Sequence, residues 1–178
     1  MKFHLETERL ILRELRETDI EPFFEMDSDP AVHKYLGNNP ISTLEQALET
    51  INNIRRQYVE LGIGRWAVIE KSSGNFIGWS GLKLVTEAWN GHINFHDVGY
   101  RLIPKYWGKG YATESCKAAL EFGFNTMNLS EIIGTANQEN KASRTVLEKC
   151  GLTFVEQFMW KDIQCDWLKI SKEDWVKN

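Results

Sequence analysis

Residues 100–114 read YRLIPKYWGKGYATE, and the rest of the chain is organised around them. The stretch opens as a strand and turns through Gly108, Lys109 and Gly110. It then becomes a helix whose apolar positions recur as Ala112, Cys116, Ala119, Leu120, Gly123 and Met127. A strand that passes through glycines into a helix leaves several backbone N–H groups unpaired and aimed at one point, where the helix dipole also favours negative charge. Such a turn is an anion cradle, most often for phosphate.

Spacing separates the phosphate-binding alternatives. A P-loop ends in Gly-Lys-Ser/Thr, but Lys109 is followed by Gly110. A dinucleotide fingerprint begun at Gly108 needs Gly or Ala at position 113, which is Thr113. The run Trp107, Gly108, Lys109, Gly110, Tyr111, Ala112 resembles the Gln/Arg-x-x-Gly-x-Gly/Ala signature of the GNAT N-acetyltransferases, whose backbone N–H groups hold the pyrophosphate of acetyl-coenzyme A. Trp107 departs from Gln/Arg, and YWGKGYATE is similar to the RimJ/RimL-type branch, where an aromatic at that place is usual. The competing account of the turn is a plain strand-to-helix connection in which glycines relieve backbone strain.

Working outward, NQENKASRTVLEKCGL (residues 137–152) resembles the second acetyltransferase motif, and ETERLILRELRETD (residues 6–19) resembles the opening of RimJ/RimL-type chains. An amphipathic strand is expected over Leu5–Leu15. A short helix should follow a capping box at Thr18 and Glu21, and a longer one a box at Ser42 and Glu45, with the face Leu44, Leu48, Ile51, Ile54 or Arg55, Tyr58 and Leu61. Gly62 ends that helix. A hairpin through Trp66–Ile69 and Phe76–Leu84 comes next, then a loop over Thr86–His92 and a strand over Ile93–Ile103 that feeds the glycine turn. Glu131–Asn137 should be a strand, Asn140 should open a helix that Gly151 ends, and Phe154–Lys161 and Cys165–Ile170 should close the sheet. With no repeat, linker or low-complexity tract, residues 1–178 are expected to form one α/β (α+β) GNAT-type domain. The resemblance implies a mixed, mostly antiparallel sheet flanked by about four helices.

Composition narrows the partners. The 178 residues are 42% hydrophobic and 12% aromatic, enough for one good core. A net charge of -4 and a pI near 5.6 argue against a general nucleic-acid binder and suit a cationic acceptor. Three cysteines without CxxC spacing signal neither a disulfide framework nor a zinc site, so no metal is expected, and reduced thiols fit the cytoplasm. The N-terminal MKFHLETERL has no apolar leader core and no run approaches a membrane span.

Acetyl transfer needs a neutral amine, because a protonated nitrogen has no lone pair, and a carboxylate is the usual device that removes the proton. Asp97 stands where family members commonly carry Glu and is the candidate general base. Being one methylene shorter, it suits a water relay, and a plain ion-paired strand carboxylate is the competing role. In a regular strand His92, Asn94 and His96 share the face opposite Phe95 and Asp97, and His96 is the alternative base. The interior Gly99 marks a bulge or a close backbone approach. The resemblance implies a bulge here that opens a slot for the pantetheine arm, with backbone groups of Tyr100, Arg101 and Leu102 lining it and one N–H near them stabilising the oxyanion. Many relatives protonate the leaving thiolate from a Tyr whose place here is Leu147. Ser143 is the remaining candidate donor, against a serine that bonds only its own backbone.

By the same resemblance, Asn137 and Asn140 contact pantetheine amides, Asn140 also being a helix N-cap, while Trp107 to Ala112 hold the pyrophosphate and Lys109 adds charge. Glu114 is expected to be structural. Trp66 and Trp79 are either acceptor-groove walls or core, and Cys116 is packing. The chain is thus expected to be an acetyl-CoA-dependent N-acetyltransferase acting on a primary amine, preferably the α-amine of a ribosomal or other protein N-terminus. Small-molecule amines, or acyl-CoA sensing without chemistry, are the alternatives. No nucleic-acid or membrane partner is expected, and monomer and homodimer stay open.

Overall fold

The computed structural model describes residues 3–177. Its frame is one eight-stranded sheet, in the order β1-β2-β3-β4-β5-β6-β8-β7: β1 His4–Glu6, β2 Leu10–Arg13, β3 Trp66–Glu70, β4 Phe76–Val85, β5 Phe95–Leu102, β6 Glu131–Asn137, β7 Thr153–Trp160 and β8 Ile163–Ser171. Every neighbouring pair is antiparallel except β5 and β6. That parallel pair requires a crossover, which the glycine turn and helix α4, Tyr111–Glu121, supply.

The helices α1 Ile20–Asp27, α2 Pro30–His33, α3 Leu44–Glu60, α5 Lys141–Lys149 and α6 Lys172–Lys177 complete the described elements, with α4 running on through a π-helical turn at Phe122–Thr126. None of them is long and apolar enough to cross a membrane.

Alternation along the strands sorts the sheet into two faces. One carries Trp66, Val68, Leu82, Val98, Ile132 and Leu168 and is covered by α4 and α5. Phe122 meets Trp66 edge-on at 5.2 Å, and a Cβ at Gly134 would sit 2.8 Å from Leu147 and Leu152, so α5 lies close over β6. The opposite face is divided. Helix α1 covers its N-terminal part, with Phe23 against Phe76. The 86–94 loop covers its C-terminal part, where Trp89, Phe95, Phe158 and Trp167 form a second aromatic cluster. Each buried large side chain here stabilises by about 1.5–3 kcal/mol.

Several local expectations shift. The N-terminal strand breaks in two because Thr7 turns the chain, its Oγ1 accepting from Leu10 N–H (3.0 Å). The α1 entry is held by Asp19, which accepts Arg16 N–H at 2.8 Å and pairs with Arg13, in place of a Thr18–Glu21 box. The α3 box is Thr43 with Gln46, one residue beyond Ser42 and Glu45. The buried stripe is consequently Ala47, Ile51 and Ile54, and Leu44 faces solvent. Strand β5 begins at Phe95, since Asn94 adopts a positive φ of 56° that ends any extended run before it. His92, Asn94 and His96 therefore do not share a strand face, and His92 instead stacks on Trp167.

Candidate active site

The gap between β5 and β6 defines the site. These strands share a single registered pair, Asp97 with Ile133, and part beyond it. On its other side β5 pairs with β4 without interruption from Gly78–Leu102 to Val85–Phe95. Gly99 is thus not a bulge against β4. The opening arises because β6 diverges, and the glycine serves a close approach: a Cβ there would lie 2.7 Å from Nη2 of Arg65. Ile103 N–H donates to Ile77 of β4 (2.9 Å). By alternation, the N–H groups of Tyr100 and Leu102 point away from β4 into the gap.

At the end of the gap lies the cradle. Gly108 and Gly110 take φ of +73° and +82°, conformations that glycine adopts without strain. The first intrahelical bond of α4 is Glu114 N–H to Gly110 O (3.0 Å), and no side chain caps this end. The N–H groups of Tyr111, Ala112 and Thr113 are therefore free to converge on an anion. Trp107 donates its indole N–H to Leu102 O (2.8 Å), which fixes a ring that stays 48% exposed beside the glycines.

Arg9 reaches the same place from the β1–β2 turn, donating to Lys109 O at 2.9 Å and to Glu114 at 2.7 Å while covering the Tyr111 ring. Glu114 also accepts from Thr7 Oγ1 at 2.6 Å, as befits a structural residue that holds its own pKa low through these donors against the upward push of burial.

Asp97 projects to the α1 side of β5, opposite Lys83 on β4. It is buried, and its Oδ2 accepts from the Arg65 guanidinium, which also donates to Gly81 O and, at 2.6 Å, to Asp97 O. Among the described residues, Asp97 Oδ1 meets no donor. Burial pushes the Asp97 carboxyl above the usual carboxylate range, while Arg65 and then Lys83 pull it back. Half-buried Trp79 lies between the guanidinium groups of Arg65 (5.5 Å) and Arg101 (5.0 Å). Arg101 in turn pairs with Asp27 of α1 at 2.6 Å. His33 Nε2 lies 3.9 Å from Asp27, but burial and then Arg101 lower its pKa and favour the neutral ring.

On the opposite face, the Tyr100 hydroxyl crosses to α5, donating to Ser143 O (2.7 Å) and meeting Ser143 Oγ at 3.1 Å. Burial raises the Tyr100 pKa well above its ordinary value. Ser143 stands in the first turn of α5, and its hydroxyl faces Tyr100. Leu147 is fully buried under Gly134 and offers no acid. Asn140 caps α5, its Oδ1 accepting Ser143 N–H at 3.1 Å, and Asn137 donates to Tyr35 O at 3.4 Å across the end of the gap. His96 is half-buried on the face away from Asp97, and burial lowers its pKa. Trp66 and Cys116 are core. Spacing alone missed Arg65, Arg9, Lys83 and Asp27, which come from distant segments.

A mixed sheet parted at its one parallel pair, with an uncapped glycine-entered helix at the opening, defines an acyl-CoA-dependent acetyltransferase class. Residues 9–153 match the family described as the acetyltransferase (GNAT) domain. The chain belongs to that family. It is 30% identical over 161 residues to the Bacillus subtilis (strain 168) uncharacterized N-acetyltransferase YoaA, covering 89% of each chain. It is 32% identical over 161 residues to the FsC-acetyl coenzyme A-N(2)-transacetylase of Aspergillus fumigatus, covering 88% of this chain and 68% of that one. A crystal structure of a GNAT-family acetyltransferase from Bacillus anthracis superposes with a TM-score of 0.80 at 27% identity, covering 96% and 99% of the two chains. The protein is an acetyltransferase with acetyl-CoA as co-substrate, and its uncapped α4 N-terminus with two left-handed glycines fits that group's pyrophosphate. Among the described residues, no group of three or more His, Cys, Asp or Glu side chains is placed to hold a metal ion.

Proposed function

We propose that this RimJ/RimL-like chain acetylates an α-amine, in the first instance that of a peptide or protein N-terminus, by direct attack in a ternary complex. The observation that carries the proposal is the divided state of Asp97: one oxygen is anchored on Arg65, while the other is buried with no donor among the described residues, at the one registered pair of β5 and β6, beyond which the strands part. In this scheme the amine enters from the α1 side and loses a proton to Asp97 Oδ1, directly or through water. Its nitrogen attacks the thioester carbon, the C–S bond breaks, and the thiolate leaves toward the Tyr100–Ser143 hydroxyl pair, which gives it a proton and regains one from the nitrogen as the amide forms, while Asp97 releases its own proton to solvent. The N–H groups of Tyr100 and Leu102 serve the oxyanion and the pantetheine arm, and residues 107–112 serve the pyrophosphate. Asn137 and Asn140 flank the arm.

A carboxylate tied to a guanidinium is a modest base. It suits an α-amine of pKa about 7.7–8.0 better than a lysine of about 10.4. The three buried, unpaired cysteines are consistent with a reducing compartment such as the cytoplasm.

The test is thiol release from acetyl-CoA against peptide N-termini, lysine peptides, amino acids and polyamines, with product masses measured. We expect one acetyl group on α-amines and a loss in Asp97→Asn of about 10²- to 10⁴-fold in kcat, with acetyl-CoA affinity kept. Full activity in Asp97→Asn would remove the base assignment. Tight coenzyme A binding with no acetylated amine would favour an acyl-CoA sensor instead.

A further inference from the structure

The acceptor side of β4 and β5 has an unbalanced charge pattern. Trp79, Lys83, Gly99 and Arg101 are half-buried, whereas Ala67 and Asp97 beside them are buried. They form the floor of the part of this face that lies between α1, which covers one end, and the 86–94 loop, which covers the other. Three cations, Arg65, Lys83 and Arg101, stand on or over this floor against two carboxylates, Asp97 and Asp27. Each carboxylate already holds a guanidinium, Asp97 Oδ2 that of Arg65 and Asp27 Oδ1 that of Arg101, and Asp97 Oδ1 is kept for the amine.

Lys83 is the remaining cation. Its side chain is 28% exposed, and its ammonium lies 4.9 Å over the half-buried ring of Trp89. The nearest paired carboxylate is Glu87, 61% exposed and at 4.0 Å, the outer limit of an ion pair. Such a contact holds little energy. Burial and then the neighbouring Arg65 also work against the lysine's charge, so an anion brought to it would be welcome.

Resting on the N-acetyltransferase function proposed above, we infer that the acceptor carries a carboxylate close to its amine and that Lys83 receives it. Lys83 and Asp97 are direct cross-strand partners, so their Cβ atoms are about 4.5–5.5 Å apart. Because the two side chains rise from neighbouring points on one face, a molecule with amine and carboxylate a few bonds apart can turn its amine toward Asp97 Oδ1 and its carboxylate toward Nζ. The indoles of Trp79 and Trp89 offer flat apolar walls for the rest of it. A polyamine, by contrast, would place further cations beside Lys83 and Arg101, with Asp97 Oδ1 already committed to the reacting amine. The chain's overall negative charge is therefore a poor guide to this acceptor, because Arg65, Lys83 and Arg101 stand together on this floor. The carboxylate has two possible sources: a free amino acid, or an Asp or Glu side chain at the start of a peptide.

The test compares initial rates at saturating acetyl-CoA for free L-phenylalanine and L-phenylalaninamide, for peptides beginning Asp-Ala or Asn-Ala, and for spermidine. We expect the acid member of at least one pair to exceed its amide by about 10- to 100-fold in kcat/KM, as for a charge-assisted hydrogen bond. Lys83→Met should collapse that ratio toward one, mainly through KM, and Lys83→Arg should retain it. Coenzyme A affinity, measured calorimetrically, should stay unchanged in both variants. Amides or spermidine used as well as the acids, or an undiminished acid preference in Lys83→Met, would overturn the inference and leave N-acetylation standing. If coenzyme A binds but no amine of any kind is acetylated, the N-acetyltransferase proposal falls, and this inference with it.

Discussion

Replacing Arg65 by Met removes the charge beneath Asp97 while keeping most of the apolar stem. The guanidinium donates to Asp97 Oδ2, Asp97 O and Gly81 O, all inside the sheet, and its loss leaves a buried carboxylate with no donor on either oxygen. Breaking a buried pair in this way costs about 3–5 kcal/mol. The carboxyl can limit the damage by taking up a proton. From an unfolded pKa of about 3.9, staying protonated costs about 1.4 kcal/mol per pH unit, hence ~4 kcal/mol at pH 7 and ~1.5 kcal/mol at pH 5.

The sign follows from the raised folded pKa of Asp97. The folded state binds its proton more tightly than the unfolded chain, so stability falls as pH rises from the unfolded value through the folded one. Removing Arg65 moves the folded value further up and widens that window. Urea unfolding of Arg65→Met should thus show a midpoint lower by about 1 M or more at pH 7, for a slope of about 2–3 kcal/mol per M. The deficit should shrink toward pH 5. Arg65→Met with Asp97→Leu should recover part of the loss, since an apolar pair leaves no charge behind. A deficit below about 1 kcal/mol at pH 7, or one equal at both pH values, would refute the ion-pair account, for which breaking a buried pair costs several times that.

Gly110→Ala would force a side chain onto a φ of +82° and bring a Cβ to 3.3 Å from Arg9. Weakening of coenzyme A binding by about tenfold is expected in calorimetry, from strain of about 1–2 kcal/mol at the cradle. Tyr100→Phe removes the hydroxyl shared with Ser143. A drop in kcat of about 10²-fold with unchanged acetyl-CoA KM would mark it as the donor to the leaving thiolate, whereas an equal loss of thermal stability and activity would mark it as a strut between β5 and α5.

Much of the frame was legible in the chain because local signals were strong. Glu131–Asn137 is the expected strand to the residue, Asn140 caps its helix, and the glycine turn sits at the crossover between β5 and β6, the parallel neighbours of the sheet. Boundaries slipped where two capping residues stand side by side, as Ser42 and Thr43 do. They slipped again where alternation continued past the true strand end at Asn94.

The site was legible only in part. The cradle is contiguous, so spacing displayed it. The Asp97 environment is assembled from residues 65, 81, 83 and 97, and no local pattern in the sequence marks Arg65 as a guanidinium aimed under a glycine. The bulge expected at Gly99 shows the same limit: a strand glycine signals a close approach or a bulge alike, and only the neighbour that approaches decides which.

The parting of β5 from β6 leaves two strand edges in the middle of a sheet, away from its rim. Interior edges of this kind cannot rely on the ladder for cohesion, so the two halves are joined by side chains that bridge between them: Tyr100 to Ser143, Cys150 Sγ to Thr113 O at 3.6 Å, and Asn137 to Tyr35. The sheet is in effect an unfinished seam, held shut from its flanks by side chains and not by its own ladder.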